Sequence, residues 1–263
     1  MKKVKLLYIV MLLGITSMAY SQALTSTVYD WDKLSVKKSS TGEVKTFFKS
    51  PTKDLEMFEA KAVTLNAGKD IKTYEVAKST DELLIVKEGI AGIKVNDEMK
   101  TLGEGSVVLA LAGDKVTIAN KEKNNLVYIS FIFKPFIQRV PKETDERIFP
   151  LFVDWKTVEF KPNANGGRRD IMRRATSSLR ELEIHVTTLK EGISSHAPHT
   201  HRDEEFVLMR YGTGDMDLDG KHYIGGPGSI FFLASGGYHG INNAGNSACE
   251  YFAIRWLTQE EAK

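Results

Sequence analysis

The sequence is written twice. Asp30-Trp31 recurs as Asp154-Trp155, and Leu55 to Gly68 recurs as Leu179 to Gly192, both at an offset of 124 residues. From Glu82 to Asn120 the chain aligns without a gap to Glu205 to Asn243, at an offset of 123. The matched positions include Gly89 with Gly212, Gly103 with Gly226, Gly105 with Gly228, Gly113 with Gly236 and Asn120 with Asn243. Glycines repeated in this way mark repeated backbone corners, where a side chain is excluded. A duplication of this extent requires one structural unit made twice, so the expected organisation is one repeat over 24–140, a linker over 141–146 and a second repeat over 147–263.

Both repeats read as strand. Short apolar or alternating runs (AVTLNAG, ELLIVKEG, SVVLALAGD, LVYISFIF, then EFVLMRYG, SIFFLASGG, EYFAIRW) are separated by Gly and Asn corners. That spacing predicts an all-β chain of sandwiches or barrels. Helix signal is confined to the terminal TQEEAK and a turn in the linker.

Residues 1–23 have a basic tip, an apolar run from Leu6 to about Ile15, and then small residues. This is the pattern of a cleaved signal peptide, and the apolar run is short for a ~30 Å hydrocarbon core. The expectation is a secreted or periplasmic protein, with no membrane association after cleavage. The formal charge is +2; without Lys2, Lys3 and Lys5 the 36 basic residues fall to 33 against 34 acidic ones. A near-neutral mature chain gives no electrostatic reason for nucleic acid as a partner. Cys249, the single cysteine, excludes an internal disulfide and a thiolate metal site.

All six histidines lie at position 185 or later. His199 and His201, two apart, share a face if they lie on a strand, and Glu205 keeps that parity. His239 follows a glycine turn on a later strand. Three imidazoles and a carboxylate converging inside a barrel suit one divalent transition metal (Mn, Fe, Co, Ni, Zn or Cu).

These residues resemble the two motifs of the cupin superfamily. The first runs Gly192, six residues, His199-Thr200-His201, three residues, Glu205, six residues, Gly212; the second runs Gly228, five residues, Ala234, one residue, Gly236, two residues, His239, three residues, Asn243. One extra residue precedes His199, and Ala234 replaces the usual proline. The resemblance covers both repeats, so the chain looks like a bicupin. It implies a jelly-roll (double-stranded β-helix) barrel for each half, with His199, His201, Glu205 and His239 as metal ligands. A looser similarity links it to ureidoglycine aminohydrolase-type bicupins, which carry metal in the second barrel alone but order their ligands differently.

The first repeat keeps the frame without that chemistry. Glu82 takes the carboxylate position, but Val76, Lys78 and Val116 stand at the histidine positions. The first barrel is expected to be metal-free and to serve structure, pairing or a lid, with Glu82 in a salt bridge with Lys78.

The candidates for a proton-carrying catalytic group are His196, Glu204 and Tyr238, although parity turns Glu204 away from Glu205. Tyr238 and Met209 are candidate cavity residues, His185 reads as a satisfied barrel-wall histidine, and His222 as surface. Arg168, Arg169, Arg173, Arg174 and Arg180 read as a solvated edge strand ahead of a carboxylate clamp. Trp31 and Trp155 are expected in equivalent core or interface places. The functional expectation is an exported metal-dependent enzyme, of isomerase, lyase or hydrolase type, acting on a small polar, carboxylate or sugar-like molecule. The alternatives are an Fe-dependent dioxygenase and a non-catalytic cupin that binds such a molecule. The duplicated units are compatible with a homo-oligomer.

Overall fold

The computed structural model describes residues 22–140 and 148–258. Nearly all of the expected signal peptide, the whole of the expected linker and the TQEEAK segment beyond Thr258 lie outside the described residues. Two seven-stranded antiparallel sheets dominate, each faced by a smaller sheet. The first large sheet runs, in spatial order, Leu151–Val153, Val107–Ala110, Asp81–Glu88, Leu126–Pro135, Leu55–Leu65, Gly42–Ser50, Val36–Ser39. The second repeats that order with Thr27–Tyr29, Ile230–Leu233, Glu204–Tyr211, Cys249–Leu257, Glu181–Leu189, Gly166–Arg174, Lys161–Asn163. Each half is a cupin-like jelly-roll barrel.

The outermost strands cross between halves. Thr27–Tyr29, from the first repeat, pairs with Ile230–Leu233 of the second, and Leu151–Val153, from the second, pairs with Val107–Ala110 of the first. The repeated Asp-Trp pair follows each exchanged strand. Asp30 and Asp154 accept the N–H of Asp32 and Lys156, both at 3.1 Å, and start a short 3-10 turn. That turn sets each tryptophan against the other half. The Trp31 N–H donates to the Ser229 hydroxyl and the Trp155 N–H to the Ser106 hydroxyl, both at 3.1 Å. A Cβ on Gly105 (φ +86°) would come within 2.6 Å of the Trp155 ring, and one on Gly228 (φ +87°) within 2.7 Å of the Trp31 ring. This pair of glycines is therefore required twice over, for backbone conformation and for close approach. The two tryptophans occupy equivalent interface places, as the duplication suggested.

Strand alternation distributes the core in three parts. Along Glu204–Tyr211, Phe206 and Leu208 face a core shared by both halves, whereas Val207 and Met209 face the interior of the second barrel. Leu83 and Ile85 join the shared core, and Leu84 and Val86 the first interior. The shared core is aromatic: Phe131 and Phe206 stack across the halves at 4.4 Å, and Phe58 lies 5.1 Å from Trp256. Most of the largest buried side chains thus lie between the barrels.

The same alternation turns Asp81 and Glu204 outward into the opposite half. Glu204 accepts the Thr52 hydroxyl and the N–H groups of Lys53 (2.9 Å) and Asp54 (3.2 Å). Asp81 accepts the hydroxyls of Thr176, Ser177 and Ser178 and the N–H of Ser178. Thr52 and Thr176 are equivalent in the repeat, so the barrels are joined by two related carboxylate clamps.

Candidate metal centre

The site of the second barrel forms where an irregular segment meets the mouth of the sheet. The segment 190–203 carries no regular strand; His199 makes an isolated bridge to His239, with N–H donating to C=O in both directions at 2.9 Å. This corrects the expectation that His199 and His201 lie on one strand. In the first half the corresponding strand, Asp70–Glu75, is complete and its sheet has four strands; the second has three. Pro198, which has no N–H to give, breaks the ladder, and it packs over Gly240, where a Cβ would come within 2.9 Å of the proline ring.

The histidines nevertheless converge. One ring nitrogen from each of His199, His201 and His239 lies within 4.8 Å of the others, a trio that can hold a metal ion. Glu205 touches one of them, its Oε2 being 3.1 Å from His201 Nε2. The outer nitrogens are held from behind: His201 Nδ1 lies 2.9 Å from the Asp203 carbonyl and His239 Nδ1 2.9 Å from the Gly237 carbonyl. A carbonyl can only accept, so Nδ1 is the protonated nitrogen and Nε2 of His239 is left with its lone pair. At His201 the inner nitrogen then faces a carboxylate oxygen, two acceptors meeting unless a cation or proton lies between them. The Glu205 contact holds the His201 pKa above the usual imidazole value. Burial lowers those of His239 and His199, with the neighbouring imidazoles adding to the effect at His199. This donor set of neutral nitrogens and one anionic oxygen fits a divalent transition ion.

Beside the trio lies a cavity of about 410 Å³ lined by His185, Arg168, Arg255, His196, Met216 and Tyr251, among others. His196 stands at its edge, its ring 4.4 Å from that of His199. Two other candidates do not reach it. Glu204 is buried on the opposite face in its clamp, where burial raises its pKa, and Tyr238 is 43% exposed, outside the cavity lining. Met209 also stays out, packed in the interior against Gly214.

His185 is more than a wall residue. It shares the inward parity of Glu183, lines the cavity, and its Nδ1 is buried 3.6 Å from a Glu183 oxygen, without a hydrogen bond. Burial lowers its pKa, so the ring is neutral near pH 7. The arginines divide in role. Arg168 lines the cavity and reaches Asp170 (2.6 Å) and Glu183 (3.5 Å), whereas Arg169 stacks on Trp155 at 4.7 Å and Arg173 pairs with Glu181 at 3.0 Å. Arg255, the second arginine of the cavity, binds Glu183 at 2.6 Å. It sits in the EYFAIRW run with the inward parity of Tyr251 and Ala253, a signal available in the sequence. His222 lies on the surface, 3.0 Å from Asp215.

Residues 185–255 match the Cupin domain family. No curated protein matches the chain. Among solved structures, YlbA from E. coli superposes with a TM-score of 0.71 at 14% identity, covering 92% of this chain and 96% of that one. AerE from Microcystis aeruginosa gives 0.64 at 14%, covering 85% and 98%. Bacillus subtilis oxalate decarboxylase, described with Mn(II) centres, gives 0.69 at 12%, covering 92% and 80%. The second barrel thus carries the family's domain, and the chain as a whole has a cupin-like fold.

Proposed function

We propose that the second barrel holds one divalent transition-metal ion on His199, His201, Glu205 and His239, and that the chain is a metal-dependent enzyme for a small polar substrate of carboxylate or sugar-like kind. The observation that carries this reading is the meeting of three imidazoles, one of them in contact with the Glu205 carboxylate, at the wall of a polar cavity. Likeness in fold to an oxalate decarboxylase with Mn(II) centres supports it. The ion would supply Lewis-acid polarisation of a substrate oxygen.

The chain's own groups do the remaining work. Arg168 and Arg255 place guanidinium charge on the cavity wall, suited to a carboxylate or to vicinal oxygens. His185, neutral and with its Nδ1 3.6 Å from the Glu183 carboxylate but without a hydrogen bond, is placed to pass a proton to or from a bound molecule. His196 is a second such group at the edge. These roles suit an isomerase, lyase or hydrolase. The N-terminal segment fits this enzyme to a secreted or periplasmic setting.

The test is elemental analysis of the purified full chain. We expect about one transition-metal ion per chain, falling below about a tenth of that in His239→Ala and unchanged in Glu82→Gln. Metal content unaltered by His239→Ala overturns the ligand assignment.

A further inference from the structure

The first barrel contains a cavity of its own, of about 510 Å³, a size that accommodates drug-sized molecules. Its wall is built from Val63, Ile71, Val76, Ile132 and the rings of Tyr74 and Tyr128. Into this apolar surround projects Glu82, 4% exposed. Its expected partner, Lys78, is exposed in a turn and makes no ion pair with it among the described residues. The Ser130 hydroxyl donates to Oε1 at 2.6 Å and the Tyr74 hydroxyl to Oε2 at 2.8 Å. A carboxylate offers about four acceptor positions, so these two donors leave capacity on the cavity side. Burial, with the charge of Glu82 added, raises the pKa of both Tyr74 and Tyr128, and both phenols stay protonated.

The charges on the lining point to one kind of guest. Lys49 and Lys61 border the cavity, but both turn to Glu59, at 2.8 and 3.6 Å. Glu59, Glu75 and Glu82 against Lys49 and Lys61 leave one net negative charge on the lining. A buried carboxylate beside tyrosine rings in an apolar pocket favours an alkylammonium, through ion pairing and attraction to the ring faces. A bare transition ion finds no imidazole or thiolate there, since Val76 and Val116 are buried aliphatic groups. We propose that the first barrel is a second small-molecule site, for an organic ammonium ion with an apolar body, with Glu82 as its counter-charge. The site is independent of the metal centre proposed for the second barrel.

The test is calorimetric titration of the full chain with 2-phenylethylamine, 2-phenylethanol and 3-phenylpropionate. We expect the amine to saturate at one per chain and to bind at least about tenfold more tightly than the alcohol or the acid. Glu82→Gln should weaken it at least about tenfold. Because an amine can also ligate a transition ion, the titration is repeated on His239→Ala, where affinity should not change. In the wild-type chain, the methyl resonances of Ile71 and Ile132 should move along the same isotherm, a readout that needs no variant to fold. The proposal is overturned if the amine fails to saturate, if the three molecules bind alike, or if binding follows His239 while the Ile71 and Ile132 methyls stay still.

Discussion

The two barrel mouths share one frame and hold different chemistry. Glu82 and Glu205 occupy the same strand position, and Tyr128 and Tyr251 the same place on the neighbouring strand. In the second mouth His199, His201 and His239 surround the carboxylate; in the first, Val76 and Val116 are buried aliphatic side chains and Lys78 is solvent-exposed. Ser130 stands where the second half has Ala253, and it supplies a hydroxyl to Glu82. The comparison teaches that the barrel does not need its histidines for folding. The inward carboxylate does need a partner, and each half supplies a different one.

The two halves are held most strongly at the core they share. Phe58 is fully buried among Phe131, Phe133, Phe206 and Trp256. Phe58→Ala is expected to cost about 3–5 kcal/mol and to lower a single melting transition that includes both halves. Two separated transitions in calorimetry, with only the first moving, would show that the barrels fold independently. A smaller effect sharpens the symmetry of the clamps. Asp81→Ala and Glu204→Ala each strip buried donors of their partner, at about 2–3 kcal/mol apiece. Urea titration should give similar losses for the two; a cost below about 0.5 kcal/mol for either would show that its clamp is not a structural joint. The smallest effect concerns the cations over the exchanged tryptophans. Lys87 lies 4.6 Å over Trp31 and Arg210 4.3 Å over Trp155. Lys87→Met should cost about 0.5–1 kcal/mol. Arg210→Met should cost more, because Arg210 also binds Glu250 at 2.7 Å; equal losses by chemical denaturation would count against that pairing.

Much of this architecture is legible in the sequence. Duplicated glycines gave the corners, because a position without room for a Cβ is copied along with its corner, as Gly105 and Gly228 show. Glu205 was legible by parity, and so was the outward turn of Glu204. His199 and His201 do not share the strand that their spacing predicts; Pro198 breaks the ladder, and a backbone bridge to His239 brings the pair in instead. The partner of Glu82 was missed because Lys78 is near in sequence, whereas Ser130 approaches from a neighbouring strand. His185 reads from the sequence as a wall residue, and only the packing shows that it lines the cavity with its Nδ1 outside hydrogen-bond reach. The exchange of Thr27–Tyr29 and Leu151–Val153 was also hidden, since a fixed offset does not reveal which copy a strand joins.

That exchange makes the two halves mutually dependent. A gene cut at the seam would yield a first fragment whose sheet lacks Leu151–Val153 and a second whose sheet lacks Thr27–Tyr29. Co-produced, the pieces can re-braid into a nicked but whole molecule. Made singly, each would expose a bare strand edge, ready to capture a stray neighbour.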